Sequence, residues 1–305
     1  MLNGILNIYK ERGYTSFDVV ASLRKILGQK KIGHTGTLDP DAEGVLVICL
    51  GKATKVVDLI TDKDKTYEAG LLLGTVTDTL DITGNVLEES SDIPDEEAVR
   101  SAICSFTGEI EQIPPMYSAI RMNGKHLYEL AREGKEVERK SRKVNIHGID
   151  VLKVDLPHAS FRVECSKGTY IRTLCDDIGK KLGCGACMES LKRTRVGEFT
   201  LDSALKLSEV KEFFEKGSLG DYIKTIDFLF QKYNKAVFSP NAQKMADNGN
   251  ALPVDCVICD KVSSCSKASC GRFFRIYDSS GVFYGIYKYD AEHSCFKLVK
   301  FFKET

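Results

Sequence analysis

The densest grouping of chemically capable residues in the chain is Gly33-His34-Thr35-Gly36-Thr37-Leu38-Asp39-Pro40-Asp41-Ala42-Glu43-Gly44. Two glycines flank a histidine and a third follows three carboxylates, the make-up of a loop whose backbone must approach a neighbour closely. Three kinds of chemistry use such residues. Calcium coordination is one, since Asp39, Asp41, Glu43 and Gly44 imitate the first half of an EF-hand, but the twelfth position, where a bidentate Glu belongs, is Leu50 in an apolar run. A glycoside hydrolase needs two carboxyl groups on opposite sides of one bond, and Asp39 and Asp41 stand too close in sequence to guarantee that. The third is a single nucleophilic or basic carboxylate, Asp39, held by Pro40 and kept ionised by a cation from elsewhere. Spacing alone does not decide among them.

The elements that must hold this loop can be read from periodicity. Residues 2–9 read as a buried strand, and Thr15-Ser16-Phe17-Asp18 matches a capping box ahead of Val19, Val20, Leu23, Ile26 and Leu27, an amphipathic helix stopped by Gly28. Residues 45–50 and 67–73 are short apolar runs bounded by Gly, the pattern of central strands. A helix is expected after Pro94, with Val99, Ala102, Ile103 and Phe106 on its apolar stripe and Gly108 as its stop. Residues 144–154 and 161–165 read as strands, and residues 170–182 as a helix closed by Gly183. Strands and helices alternate without the regular spacing of a doubly wound sheet, which points to an α+β fold. Beyond about residue 235 the texture changes to three short strands, 272–278, 282–289 and 295–301, with an Asp278-Ser279-Ser280-Gly281 turn between the first two. Residues 241–250, polar and rich in chain breakers, are expected near the start of this all-β module. Two domains result, 1–235 and 236–305.

Composition bounds the function. The chain has 305 residues, 43% apolar and 28% charged, the proportions of an ordinary globular protein. Its longest apolar run, residues 45–50, falls far short of the roughly 20 residues that span a bilayer, so no membrane association is expected. The first ten residues lack the basic region and apolar stretch of a secretory signal, which makes the cytoplasm the expected address. Eleven cysteines, an odd number in a long chain, read as reduced thiols. Basic and acidic residues balance at 43 each, so the global charge makes no case for a polyanionic partner. Local charge says more: residues 78–97 hold eight acids and no base, 121–143 eight bases against four acids, and 180–195 five bases against one acid. The two basic stretches could track phosphates, although runs of this kind are more often solvated helix faces.

Residues 33–46, GHTGTLDPDAEGVL, resemble the catalytic loop of the bacterial tRNA pseudouridine synthases of the TruB type. Lys65-Thr66-Tyr67, residues 74–84 (GTVTDTLDITG), Pro115-Met116-Tyr117-Ser118-Ala119, residues 166–173 (SKGTYIRT) and Leu191-Lys192-Arg193 follow in the family's order, so the resemblance covers nearly the whole chain. One departure is Glu11, where the family typically has Pro; it bears on the loop at residues 10–13 and leaves the site motifs untouched.

The resemblance implies a catalytic domain on a mixed, mainly antiparallel sheet, followed by a PUA-like RNA-binding module that holds the acceptor side of a tRNA. It implies isomerisation of the uridine at position 55 in the T loop, a reaction in which no atoms enter or leave. No redox cofactor, nucleotide or metal is then needed, in keeping with a sequence that has no Walker loop or dinucleotide fingerprint. Asp39 matches the catalytic aspartate, acting as nucleophile on C1′ or base at C2′, and Arg172 matches the arginine that pairs with it. Tyr67 matches the residue that stacks on the flipped uracil and assists proton removal at C5, His34 the one that meets the disturbed T loop, and Tyr170 and Leu191 residues lining the base pocket. Asp78 and Asp81 are expected to position nucleotides, and residues 121–143 to close over the tRNA arm. The implied partner is tRNA through its T arm, with no obligatory protein partner. An RNA-folding chaperone is a competing reading, against which the intact GHTGTLDP segment and Arg172 argue. A synthase for another RNA is a second, which local motifs exclude poorly.

Cys256, Cys259, Cys265 and Cys270 have the pattern C-x2-C-x5-C-x4-C, whose first pair is a normal zinc half-site and whose second is not. Zinc does not belong to the family pattern, and reduced thiols are the expectation. Replacing all four with Ser is therefore expected to leave folding and catalysis nearly unchanged. Stoichiometric zinc in the purified protein, lost together with tail stability in the Ser variant, would contradict this.

Overall fold

The computed structural model describes residues 1–122, 124–259 and 272–303. Strand β1 (Gly4–Lys10) leads into helix α1 (Ser16–Leu27). The predicted capping box is present: the Thr15 hydroxyl accepts from the Asp18 amide, and the Asp18 carboxylate accepts from the Thr15 amide. Gly28 ends the helix in the left-handed conformation. Next come β2 (Ile32–His34), β3 (Glu43–Leu50), the single turn α2 (Val57–Thr61), β4 (Lys65–Leu73) and the hairpin β5 (Thr75–Thr77) with β6 (Val86–Glu89). Helix α3 (Glu96–Cys104) is capped by Asp95 and ends before Gly108, which instead opens strand β7 (Gly108–Gln112). A small hairpin, β8 (Arg121–Met122) with β9 (Lys125–His126), precedes α4 (Leu127–Arg132). The elements before the tail close with β10 (Arg142–Asp155), β11 (His158–Cys165), α5 (Ile171–Leu182), β12 (Ala186–Val196), β13 (Phe199–Thr200) and α6 (Leu207–Glu215).

The main sheet runs β1-β3-β12-β4-β11-β10-β7. The β3–β12 pair is parallel and the other neighbours in this path are antiparallel, so the sheet is mixed and mainly antiparallel as expected. The apolar run at 45–50 is explained by burial on both faces. Leu46, Ile48 and Leu50 face α1 and α6, while Val45, Val47 and Cys49 pack toward Ile226, Phe230 and three aromatic residues of the C-terminal module, Tyr277, Phe283 and Phe302. A separate core, with Leu71, Phe161, Val163, Leu174 and Ile178 at its centre, joins α3 and α5 to the strands β4, β10 and β11.

The tail contains β14 (Asn234–Phe238), α7 (Gln243–Asp247), β15 (Leu252–Pro253), β16 (Val257–Cys259), β17 (Phe273–Tyr277), β18 (Phe283–Asp290) and β19 (Cys295–Phe301). The three expected strands form the centre of a six-stranded sheet, β15-β19-β18-β17-β14-β16. The breaker-rich stretch 241–250 forms α7, with Ala242 and Ala246 buried against Phe274 and Phe296. Cys256 and Cys259 stand at β16, whereas Cys265 and Cys270 lie outside the described residues. Among the described residues no helix is long and apolar enough to cross a membrane.

Strand β12 meets β3 at Gly44, opposite Arg193. Gly44 has φ +106°, and a Cβ there would stand 2.2 Å from the Arg193 carbonyl oxygen. Gly28, at φ +62°, has nothing within 4 Å of a built Cβ. Gly28→Ala is therefore expected to cost about 1 kcal/mol, the ordinary left-handed penalty, and Gly44→Ala at least about twice that because the two strands must separate. Urea unfolding of both variants checks this; equal losses would show that the β3–β12 contact has slack.

Candidate active site

The loop between β2 and β3 carries Asp39, β4 carries Tyr67, and α5 begins at Ile171 with Tyr170 as its N-cap and Arg172 in its first turn. Strand β12 contributes Leu191 and Arg193, the latter opposite Tyr67 in the β4 register. Asp39, Tyr67, Tyr170, Arg172 and Leu191 line one cavity of about 590 Å³. His34 does not line it and stands one residue before Thr35, which does.

Arg172 and Asp39 form a two-point ion pair, Nε to Oδ2 at 3.0 Å and Nη2 to Oδ1 at 3.3 Å. The guanidinium is 5% exposed and the carboxylate 38%. Both terminal nitrogens also bond backbone, Nη1 the Thr79 carbonyl at 3.0 Å and Nη2 the Tyr117 carbonyl at 2.7 Å, with Asp81 Oδ2 3.8 Å from Nη1. A planar donor fork held on three segments cannot rotate away from Asp39. Burial pushes the Asp39 carboxyl above the usual range and Arg172 opposes that rise; Asp81 adds to it and Lys10 works against it.

The loop itself is fixed from below. Leu38 N donates to Ser16 Oγ at 2.9 Å, and the Lys10 ammonium, fully buried, donates to the carbonyls of Pro40, Tyr14 and Glu11. Glu11 thus offers this cage only its carbonyl, a group proline also possesses. Burial lowers the Lys10 pKa to about 8, against the pull of Asp39 and Asp41. Arg193, 2% exposed, bonds the carbonyls of Val45 at 2.7 Å, Gly36 at 3.2 Å and Thr37 at 3.5 Å. Its charge also bears on the Tyr67 hydroxyl, whose pKa burial raises and Arg193 pulls down. His34 is kept toward its neutral form by burial and by the charge of Arg193. Tyr170 is held at backbone N and O by the Gln112 side chain, with the Arg142 guanidinium 4.8 Å from its ring centroid.

Residues 180–195 do not form a basic face. Lys180 pairs with Asp176, Lys192 with Glu43 and Arg195 with Glu164, Lys181 bonds Ser105 Oγ, and Arg193 is interior. Of the five bases only Arg193, on β12, turns inward; Lys180 and Lys181 stand exposed on α5, and Lys192 and Arg195 are half-buried against their acids. In the other basic stretch, Lys125 and Lys135 share Glu133, and Lys143 pairs with Glu109. Asp78 and Asp81 accept from Asn85, Thr79 and Thr83 and so fold the turn whose Thr79 carbonyl holds Arg172. Sequence reasoning missed Arg193, whose acceptors lie about 150 residues away, and Phe17, an aromatic off the buried stripe of α1 that contacts His34 edge-on at 5.3 Å.

Residues 24–171 match the model of the TruB family pseudouridylate synthase N-terminal domain, and residues 172–231 that of the tRNA pseudouridylate synthase B C-terminal domain. The chain is 52% identical to tRNA pseudouridine synthase B of Lachnoclostridium phytofermentans, over 99% of this chain and 100% of that protein. It is 46% identical to tRNA pseudouridine synthase B of Clostridium novyi, over 93% and 95%. Among solved structures it is similar to a Cbf5-Nop10-Gar1 complex, at TM-score 0.69 and 27% identity over 98% of this chain and 84% of that one. An H/ACA RNP bound to a substrate RNA containing 2'-deoxyuridine gives TM-score 0.70 and 25% identity over 99% and 85%.

The Asp39 carboxyl is raised by burial and held down by Arg172, so removing the cation has a definite sign. Arg172→Gln is expected to raise the Asp39 pKa further. Carbon-13 NMR titration, with Asp39→Asn to assign the resonance, measures it; an unchanged or lowered value would show that the pair is not electrostatically coupled.

Proposed function

The chain belongs to the TruB family of pseudouridylate synthases and is by homology a tRNA-modifying isomerase; from that premise we propose that it converts the uridine at position 55 of the tRNA T loop to pseudouridine in the cytoplasm. The observation that carries the reading is the Arg172–Asp39 ion pair beside buried Tyr67 in one cavity. A base inside a folded loop must be extruded to reach such a cavity, and its lost stacking must be replaced. Tyr67 and Leu191 provide the apolar walls for the extruded uracil. Asp39, aimed and kept ionised by Arg172, acts on the ribose, at C1′ as nucleophile or at C2′ as base.

The bond from C1′ to N1 breaks, the base turns, and C1′ bonds C5. The C5 proton leaves and N1 gains one, so the atoms balance without a co-reactant. Tyr67 can take the C5 proton only as a phenolate, which burial disfavours and the Arg193 guanidinium favours. The T arm is the segment of tRNA that meets the cavity mouth, and the tail is the proposed support for the acceptor side.

Asp39→Ala is expected to reduce pseudouridine formation on a tRNA transcript below about a thousandth, while affinity stays within about tenfold because phosphate contacts supply most of it. Arg172→Lys should be strongly impaired although charge is kept, since an ammonium cannot reproduce the two-point pair. Tyr67→Phe should keep stacking and lose proton transfer, and Tyr67→Leu should lose both. Tritium release from C5-labelled uridine reads these rates. Wild-type turnover in the Asp39→Ala protein would sink the assignment, and equal rates for the wild-type and Tyr67→Phe proteins would show that the hydroxyl is idle.

A further inference from the structure

Helix α1 buries Val19, Val20, Leu23 and Leu27, and it leaves Phe17 on the outer face with 73% of its surface in water. A single exposed apolar side chain is ordinary, so position has to carry the argument. Three observations fix this one. The Phe17 ring meets His34 edge-on, with centroids 5.3 Å apart and planes at 89°. Its chain neighbour Ser16 bonds Leu38 N at 2.9 Å and approaches Leu38 O at 3.3 Å, which pins the start of α1 to the residue before Asp39. The Thr15–Asp18 capping box fixes the same turn from the other side. Phe17 is therefore a rigidly based aromatic, open to solvent, at the edge of the loop that carries the candidate carboxylate.

Extruding one base leaves its neighbours without a stacking partner. Exposed aromatic faces are the usual protein substitute in single-stranded RNA recognition, and they tolerate any base because every base has a π-face. A neutral His34 set at a right angle to Phe17 gives the platform a second wall. We infer that Phe17 is a stacking platform for the RNA base adjacent to the extruded uridine. The inference rests on the reading that a tRNA T loop is seated at this cavity, and it adds a binding residue outside the cavity itself.

The chain contains no tryptophan, so Phe17→Trp introduces a single indole fluorophore at the platform. In an Asp39→Asn background, which prevents turnover, addition of a T-arm hairpin RNA is expected to quench the indole emission by at least half and to protect it from acrylamide. In the otherwise wild-type protein, Phe17→Ala should raise KM for the same hairpin by about tenfold, the effect of one lost base–aromatic stack, with kcat within twofold. Phe17→Tyr should restore KM, which a merely structural role on an exposed position would not require. Unchanged emission while filter binding shows the RNA bound, or an unchanged KM in Phe17→Ala, would overturn the inference and leave the proposed reaction standing. A wild-type protein that neither binds the hairpin nor forms pseudouridine in it would overturn both.

Discussion

Two guanidinium groups, those of Arg172 and Arg193, lie buried beside one cavity, and a buried cation that leaves donors unpaired destabilises a fold by several kcal/mol. Each therefore draws backbone carbonyls from distant segments. Arg172 gathers residues 39, 79 and 117, and Arg193 gathers 36, 37 and 45. The positions of three separated stretches of chain, 36–45, 79 and 117, are set by the need to satisfy two side chains. The same bonds leave Asp39 aimed at the cavity with its charge opposed by a cation that cannot turn away. Rigidity of the site and stability of the fold are one requirement here.

The sheet makes that arrangement reachable. Only a parallel β3–β12 pair places Gly44 against the Arg193 backbone, so that the Arg193 side chain enters the loop preceding β3. The antiparallel β12–β4 pair then sets Tyr67 opposite Arg193 and Leu191 opposite Ala69. Strand β3, buried on both faces, anchors the loop at its far end, while α1 ties it at Leu38. The C-terminal module shares a core with β3 through Phe283 and Phe302, which links the tail to the element that supports the loop.

Much of this was legible in the sequence because it rests on local rules. The capping box at Thr15, the stops at Gly28 and Gly183, the doubly apolar run of β3 and the three tail strands all came from patterns within a dozen residues. Strand β12 was not legible. Its segment Lys192-Arg193-Thr194-Arg195 reads as a solvated basic run, and the one charge that is interior is compensated by carbonyls of residues 36, 37 and 45. The pairing of Asp39 with Arg172 came from family resemblance, since 133 residues separate them and no periodicity links them. The function of Asp78 and Asp81 in folding a turn under Arg172 depends on the same long-range contact. The hairpin β5–β6 was missed because β6 is exposed on both faces and shows no alternation.

The central claim is that this cavity isomerises one uridine in the T loop of tRNA. A pseudouridine map of tRNA from cells with and without the protein tests it most directly, with complementation by the wild-type and Asp39→Asn chains. The account predicts that pseudouridine at position 55 disappears without the protein, returns with the wild-type chain and fails to return with the variant. Position 55 remaining modified in the deletion, or restored by Asp39→Asn, would contradict it.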